Sequence, residues 1–135
     1  MALFAWKDEY SVKVPSIDVQ HKKLVELLNE LHEAMTQGKS TEHLGHVLGG
    51  LIKYTAEHFA YEEKLFAQSG YPHAKEHKLE HERLKKQVLD FQKKFTSGEA
   101  RISIELLRFL KDWTSNHILG SDKRYSAHLV QANVR

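Results

Sequence analysis

Histidine recurs in this chain at the positions where a helical protein buries its apolar residues. Counted in alternating steps of three and four, a first seam reads Ile17, His21, Leu24, Leu28, Leu31 and Met35. A second reads Leu44, Leu48, Leu51, Thr55, His58, Glu62 and Leu65, and a third His77, His81, Leu84, Val88, Phe91 and Phe95. The fourth is Leu107, Leu110, Thr114 and His117. This spacing is helical and leaves no stretch that reads as a strand. Breaks at "TQGKST", "QSGYPH" and "TSGEARIS", with Ser16 of "VPSID" as an expected first cap, predict helices over 17–37, 41–68, 73–96 and 102–119. The expected fold class is all-α, an antiparallel up-down four-helix bundle with an N-terminal arm. Its expected organisation is a single domain over 1–135: the arm at 1–16, the bundle with its site at 17–122, and a C-terminal tail at 123–135. Phe4, Trp6 and Tyr10 are expected to anchor the arm. Gly45, Gly49 and Gly50 each cost about 1 kcal/mol inside a helix, which close approach of a neighbouring helix would justify.

The four seams agree in level as well as in phase. Antiparallel neighbours place the start of the first helix beside the end of the second, and the start of the third beside the end of the fourth. His21, His58, Glu62, His77, His81 and His117 therefore converge on one end of the bundle. Five buried imidazoles and a carboxylate are costly without partners, and a metal ion removes that cost. Asp122 follows His117 by five residues, roughly 140° off the face of a regular helix. It joins the set only if the chain around Gly120 ends or distorts the helix.

Composition narrows the chemistry. None of the 135 residues is cysteine, so thiolate zinc sites, iron–sulfur clusters and disulfides are excluded and any metal is held by nitrogen and oxygen. Twenty basic against 18 acidic residues, interspersed, argue against nucleic acid. No apolar run is long enough to span a bilayer and the N-terminus does not read as a signal peptide, so a cytoplasmic setting is expected. "HKLEH" (residues 77–81) matches an inverted zinc-peptidase motif with Glu80 as base, but that reading leaves His21, His58, Glu62, His117 and Asp122 without a role. Two octahedral ions offer twelve positions. Five imidazoles, two bridging carboxylates and one oxo or hydroxo bridge fill eleven and leave one vacancy. Residue chemistry alone leaves iron, manganese and zinc open. No glutamate has a histidine three residues after it, which disfavours the carboxylate-rich oxygen-activating class.

The set "IDVQHKKL", "HFAYEEKLF", "HKLEH" and "HILGSDKRY", in this order and with the "FAWKDEYSVKV" arm, resembles the hemerythrins of the bacterial, stand-alone type. That resemblance implies two iron ions joined by an oxo or hydroxo bridge and reversible dioxygen binding without enzymatic turnover. His77, His81 and His117 would hold one iron, His21 and His58 the other, and Glu62 and Asp122 would bridge. It also implies a dioxygen pocket of Leu24, Phe59, Trp113, Thr114 and Ile118. Thr114 departs from the pattern, since relatives usually carry leucine there. The partner would be dioxygen itself, passed to an oxygen-consuming recipient protein. An oxygen or redox sensor and an iron-dependent oxidase or peroxide-handling enzyme are the competing readings. A sensor usually carries an output module, for which the stretch after the fourth helix is too short. Nor does an acid–base residue beyond the ligands adjoin the expected vacancy. His32, His43, His46, His73 and His128 fall off the converging end and are expected at the surface.

Overall fold

Three apolar faces and one short amphipathic one account for the bundle. The computed structural model describes residues 3–135, so the first two positions of the arm lie outside the described residues. The helices are α1 (Pro15–Thr36), α2 (Thr41–Ser69), α3 (Ala74–Thr96) and α4 (Ile104–His117), followed by a π-helical turn (Ile118–Asp122) and α5 (Lys123–Gln131). α1 packs on α2 and on α4, and α2 packs on α3. The four-helix bundle expected from the seams is what forms, and no strand occurs among the described residues.

Local chemistry explains the boundaries. Ser40 caps α2 by accepting from the His43 amide at 3.1 Å, and Ser103 caps α4 by accepting from the Leu106 amide at 3.2 Å. Gly70 ends α2 in the left-handed conformation at φ 68°. Ser16 is not a cap. α1 starts at Pro15, whose fixed φ and missing N–H suit a first helical position. The Ser16 hydroxyl instead accepts from Tyr61 at 2.8 Å. Gly45 faces α3 closely enough that an added Cβ would meet Phe95 Cε2 at 3.3 Å, whereas Gly50 faces open space. The close-approach reading therefore holds for Gly45 and fails for Gly50.

The arm is tied down as expected at its aromatic residues. Phe4 and Tyr10 are buried and Trp6 half-buried. Asn29 pairs with both backbone groups of Phe4, at 2.8 and 2.7 Å. Asp18, in the first turn of α1, accepts from the Val12 amide at 2.9 Å and from the Ser11 hydroxyl at 2.6 Å. The stretch expected as a tail is mostly helix: α5 buries Tyr125 and Leu129.

These elements build two apolar clusters. One gathers Leu24, Leu28, Leu31, Leu48, Leu51 and Leu107 with the Phe4–Tyr10 arm. The other gathers Val12, Val14, Ile17, Leu65, Phe66 and Tyr125. Along α1, His21 lies between Ile17 of one cluster and Leu24 of the other, and along α2 His58 and Glu62 lie between Leu51 and Leu65. The polar residues form a layer between the two.

Candidate metal centre

Each of the seven side chains expected to hold metal lies buried in that layer: His21, His58, Glu62, His77, His81, His117 and Asp122. Asp122 reaches it through the π-helical turn. A π turn accommodates one residue more than an α turn, so the step of five from His117 behaves like a step of four and keeps both on one face. Gly120 sits inside that wider turn and does not end the helix.

The donor atoms fall into two overlapping groups, Glu62 with His77, His81 and His117, and Glu62 with His21 and His58. Asp122 Oδ1 lies 3.0 Å from His77 Nε2 and 3.2 Å from His117 Nε2, while its Oδ2 lies 3.1 Å from His21 Nε2. Glu62 is divided less sharply. Its Oε1 lies 3.2 Å from His81 Nε2 and 3.5 Å from His58 Nε2, while its Oε2 lies 3.7 Å from His21 Nε2. Each carboxylate thus reaches both histidine groups, the disposition of a bridge.

Whether these residues fit a cation is decided at the imidazoles. His117 Nδ1 lies 2.9 Å from Glu80 Oε2, and His81 Nδ1 lies 3.0 Å from Glu63 Oε2. A neutral ring that donates through Nδ1 carries a lone pair on Nε2. Yet His117 Nε2 faces His81 Nε2 at 3.3 Å and His77 Nε2 at 3.1 Å. Lone pairs held face to face in a buried site repel unless a cation lies between them. The spacings also match such an ion: donors about 2.1 Å from an octahedral metal and adjacent to one another stand about 3.0 Å apart. Both nitrogens of His21, Glu62 Oε1 and both oxygens of Asp122 are buried without a hydrogen-bond partner among the described residues. Orphaned polar atoms of this kind are rare in folded proteins, and a bound cation would satisfy His21 Nε2 and the carboxylate oxygens. The residues fit.

Without metal, charge settles unevenly on the layer. Burial works against charging His21, but the Asp122 and Glu62 carboxylates outweigh it and raise its pKa to about 10. His77 follows the same balance and rises to about 9. Burial dominates at His58, which falls to about 4 despite Glu62. Burial would raise Glu62 and Asp122, yet the surrounding imidazoles hold both well below the usual carboxylate range.

The structure places Leu24, Phe59, Trp113, Thr114 and Ile118 around one cavity of about 40 Å³, which His21, His58 and His117 also line. The lining is mainly apolar and runs on past these five to Leu28, Leu51 and Leu110. Phe59 stacks on His81 with ring centroids 3.8 Å apart, and Trp113 stacks on His117 at 4.5 Å. The Thr114 hydroxyl donates to the Leu110 carbonyl at 2.7 Å, back along its own helix.

Residues behind the donors escaped the reading of the sequence. Besides Glu63 and Glu80, Gln20 Oε1 pairs with His58 Nδ1 at 2.7 Å, Ser121 donates to Glu80 Oε2 at 2.6 Å, and Tyr125 donates to Glu62 Oε2. Tyr125 had a usable signal, lying three residues beyond Asp122 on the same helical face. Of the remaining histidines, His43, His46 and His73 are exposed and His32 half-buried. His128 bonds the Ser69 carbonyl at 2.8 Å, fastening α5 to the end of α2.

Comparison with known proteins gives the same family. The Hemerythrin HHE cation binding domain family matches residues 12–129. The chain belongs to the hemerythrin family. It is 40% identical over 135 residues to a bacteriohemerythrin of Stenotrophomonas maltophilia, covering 97% of this chain and 87% of that one. A bacteriohemerythrin of Methylococcus capsulatus is 39% identical, with 93% and 95% covered. A crystal structure of wild-type hemerythrin superposes with a TM-score of 0.91 at 37% identity, over 95% of this chain and 98% of that chain. The cofactor of a hemerythrin is a di-iron centre, and the donor set of this chain accommodates one.

Proposed function

We propose that this hemerythrin binds dioxygen reversibly at its di-iron centre, for carriage or storage, without turnover. His77, His81 and His117 would hold one iron, His21 and His58 the other, and Glu62 and Asp122 would span both. The observation that carries this is the unequal division of donors. Three imidazoles serve one half and two the other, while Asp122 presents one oxygen to each half and Glu62 belongs to both. The half with fewer protein donors is the half left open to a small ligand. When bound, the di-iron centre supplies the electrons that dioxygen takes up on binding and returns on release.

This chain's own side chains do the rest. Leu24, Phe59, Trp113 and Ile118 wall the cavity with carbon, keeping out the water and protons that promote irreversible oxidation. Tyr125 holds one oxygen of Glu62, and Gln20 holds the ring of His58. Glu63 and Glu80 hold the rings of His81 and His117. Among the described residues, no carboxyl or imidazole lines the cavity apart from the proposed ligands His21, His58, His117 and Asp122, which favours binding over acid–base chemistry. No helix among the described residues is long and apolar enough to cross a membrane. A cytoplasmic setting and an oxygen-consuming recipient belong to the proposal.

The test is a cycle of anaerobic reduction, exposure to air and return to argon, followed by visible absorption. A band that appears with air and fades under argon over repeated cycles supports reversible binding. Sustained oxygen consumption with a reductant would overturn it in favour of an oxidase. A protein partner that binds only the oxygenated form would turn carriage into sensing.

A further inference from the structure

The two halves of the centre differ in what stands behind their imidazoles. On the three-histidine side, His117 and His81 each direct Nδ1 at a carboxylate oxygen, of Glu80 at 2.9 Å and of Glu63 at 3.0 Å. Ser121, carried into place by the π-helical turn, donates to the same Glu80 oxygen at 2.6 Å. On the two-histidine side, His58 Nδ1 meets only the neutral amide oxygen of Gln20, and His21 Nδ1 is buried with no partner. A carboxylate opposite Nδ1–H fixes the tautomer and ring orientation and makes Nε2 more basic; an amide does the first with less of the second. Glu80 is the glutamate of the peptidase-like "HKLEH" stretch, and its carboxylate oxygen is engaged by His117 Nδ1 and the Ser121 hydroxyl. His117, 8% exposed, also floors a surface cleft of about 400 Å³ that Glu80 lines.

We propose that Glu63 and Glu80, with Ser121 holding Glu80, are positioning residues that make the His77–His81–His117 half the tighter of two binding steps, so that the first divalent cation settles there. The inference rests on the ligand assignment proposed above. It concerns the order of assembly, and it makes the two metal positions inequivalent through residues that touch no metal.

Zinc titration of the metal-free chain by calorimetry tests it, because zinc is redox-silent and its affinity is read without any oxygen chemistry. The native chain is expected to take up two ions in two resolved steps. Glu80→Gln and Glu63→Gln are each expected to weaken the tighter step by about 10-fold or more and leave the weaker step unchanged. Gln20→Ala should weaken only the second step. Both glutamates keep part of their surface in solvent, 42% for Glu80 and 23% for Glu63, so neither exchange buries an unpaired group deep in the core. Proton spectra of the zinc-loaded chain add a readout that fold stability does not move. The His117 Nδ1–H resonance should move upfield in Glu80→Gln while that of His58 stays. Two resolved steps with the tighter one unaltered in both variants, or both steps weakened equally, would overturn the inference alone. Uptake of fewer than two ions by the native chain would instead overturn the ligand assignment beneath it.

Discussion

Tyr125 shows how one side chain sustains the centre from outside it. It is fully buried and donates to the Glu62 oxygen that faces His21. Tyr125→Phe removes that donor and leaves a buried carboxylate oxygen short of a partner, so the metal-free chain should lose about 1–3 kcal/mol in urea unfolding. An unchanged midpoint would show that the hydroxyl contributes nothing there. Thr114 acts differently. Its hydroxyl proton is committed to the Leu110 carbonyl, so it is not available to donate into the cavity. What remains is its small volume beside the cavity. Thr114→Leu should therefore slow the loss of the oxygenated band in air, by about 2-fold or more if cavity water is what drives that loss. An equal or faster loss in the leucine variant would refute the role of volume. At this scale the inner donors other than Asp122 were legible and the outer ones were not. Histidine on an apolar stripe has no inexpensive alternative, so periodicity alone singles it out. Glu63, Glu80 and Gln20 are residues that decorate any solvated helix face, and only the fold shows which imidazole each one meets.

At the scale of elements, the π-helical turn is what sequence periodicity could not supply. A step of five from His117 points Asp122 away from the layer on a regular helix, and family resemblance alone brought it in. One additional residue in the turn reconciles the two. The same turn lets Ser121 reach Glu80 and starts α5 in the register that buries Tyr125 and Leu129. That helix was read as a tail because its nine residues carry only a short apolar pattern. Ser16 looked like a cap because serine usually is one, but the proline before it already supplies the first-turn geometry. The glycines of α2 separate by what they face. Gly50→Ala meets nothing and should gain up to about 1 kcal/mol of stability, read as a higher thermal midpoint. Gly45→Ala should gain less or lose, because its Cβ would press on Phe95 at 3.3 Å. Equal gains at both positions would refute close helix approach as the reason for Gly45.

For the whole molecule, a charged layer between two apolar clusters makes metal, protons and stability interdependent. In the metal-free chain His21 at about 10 and His77 at about 9 both stand above the ordinary 6.5. A raised folded pKa stabilises fully below pH 6.5, and that contribution falls away as pH rises towards 9 and 10. The depressed carboxylates act oppositely, contributing above their ordinary range near pH 4 and losing that contribution in acid. His58, lowered to about 4, also costs stability as pH falls below 6.5, because burial opposes its protonation. The metal-free thermal midpoint should thus decline from pH 7 to pH 10. Cation affinity should rise over the same range, with proton release on binding, since protons on His21 and His77 compete with the metal. A flat or rising metal-free midpoint would contradict this charge distribution. The bundle itself was legible because every helix had to turn its histidines to the same end. Its two-cluster core was less so, since the arm and α5 complete it from outside the four seams.

The central claim is that seven side chains form a single cage for two irons. Diffraction at the iron absorption edge, from crystals of the iron-loaded chain, tests it most directly. Two anomalous peaks are expected, one among the Nε2 atoms of His77, His81 and His117 and one beside those of His21 and His58, with Glu62 and Asp122 reaching both. A single peak, or a second one away from His21 and His58, would contradict it.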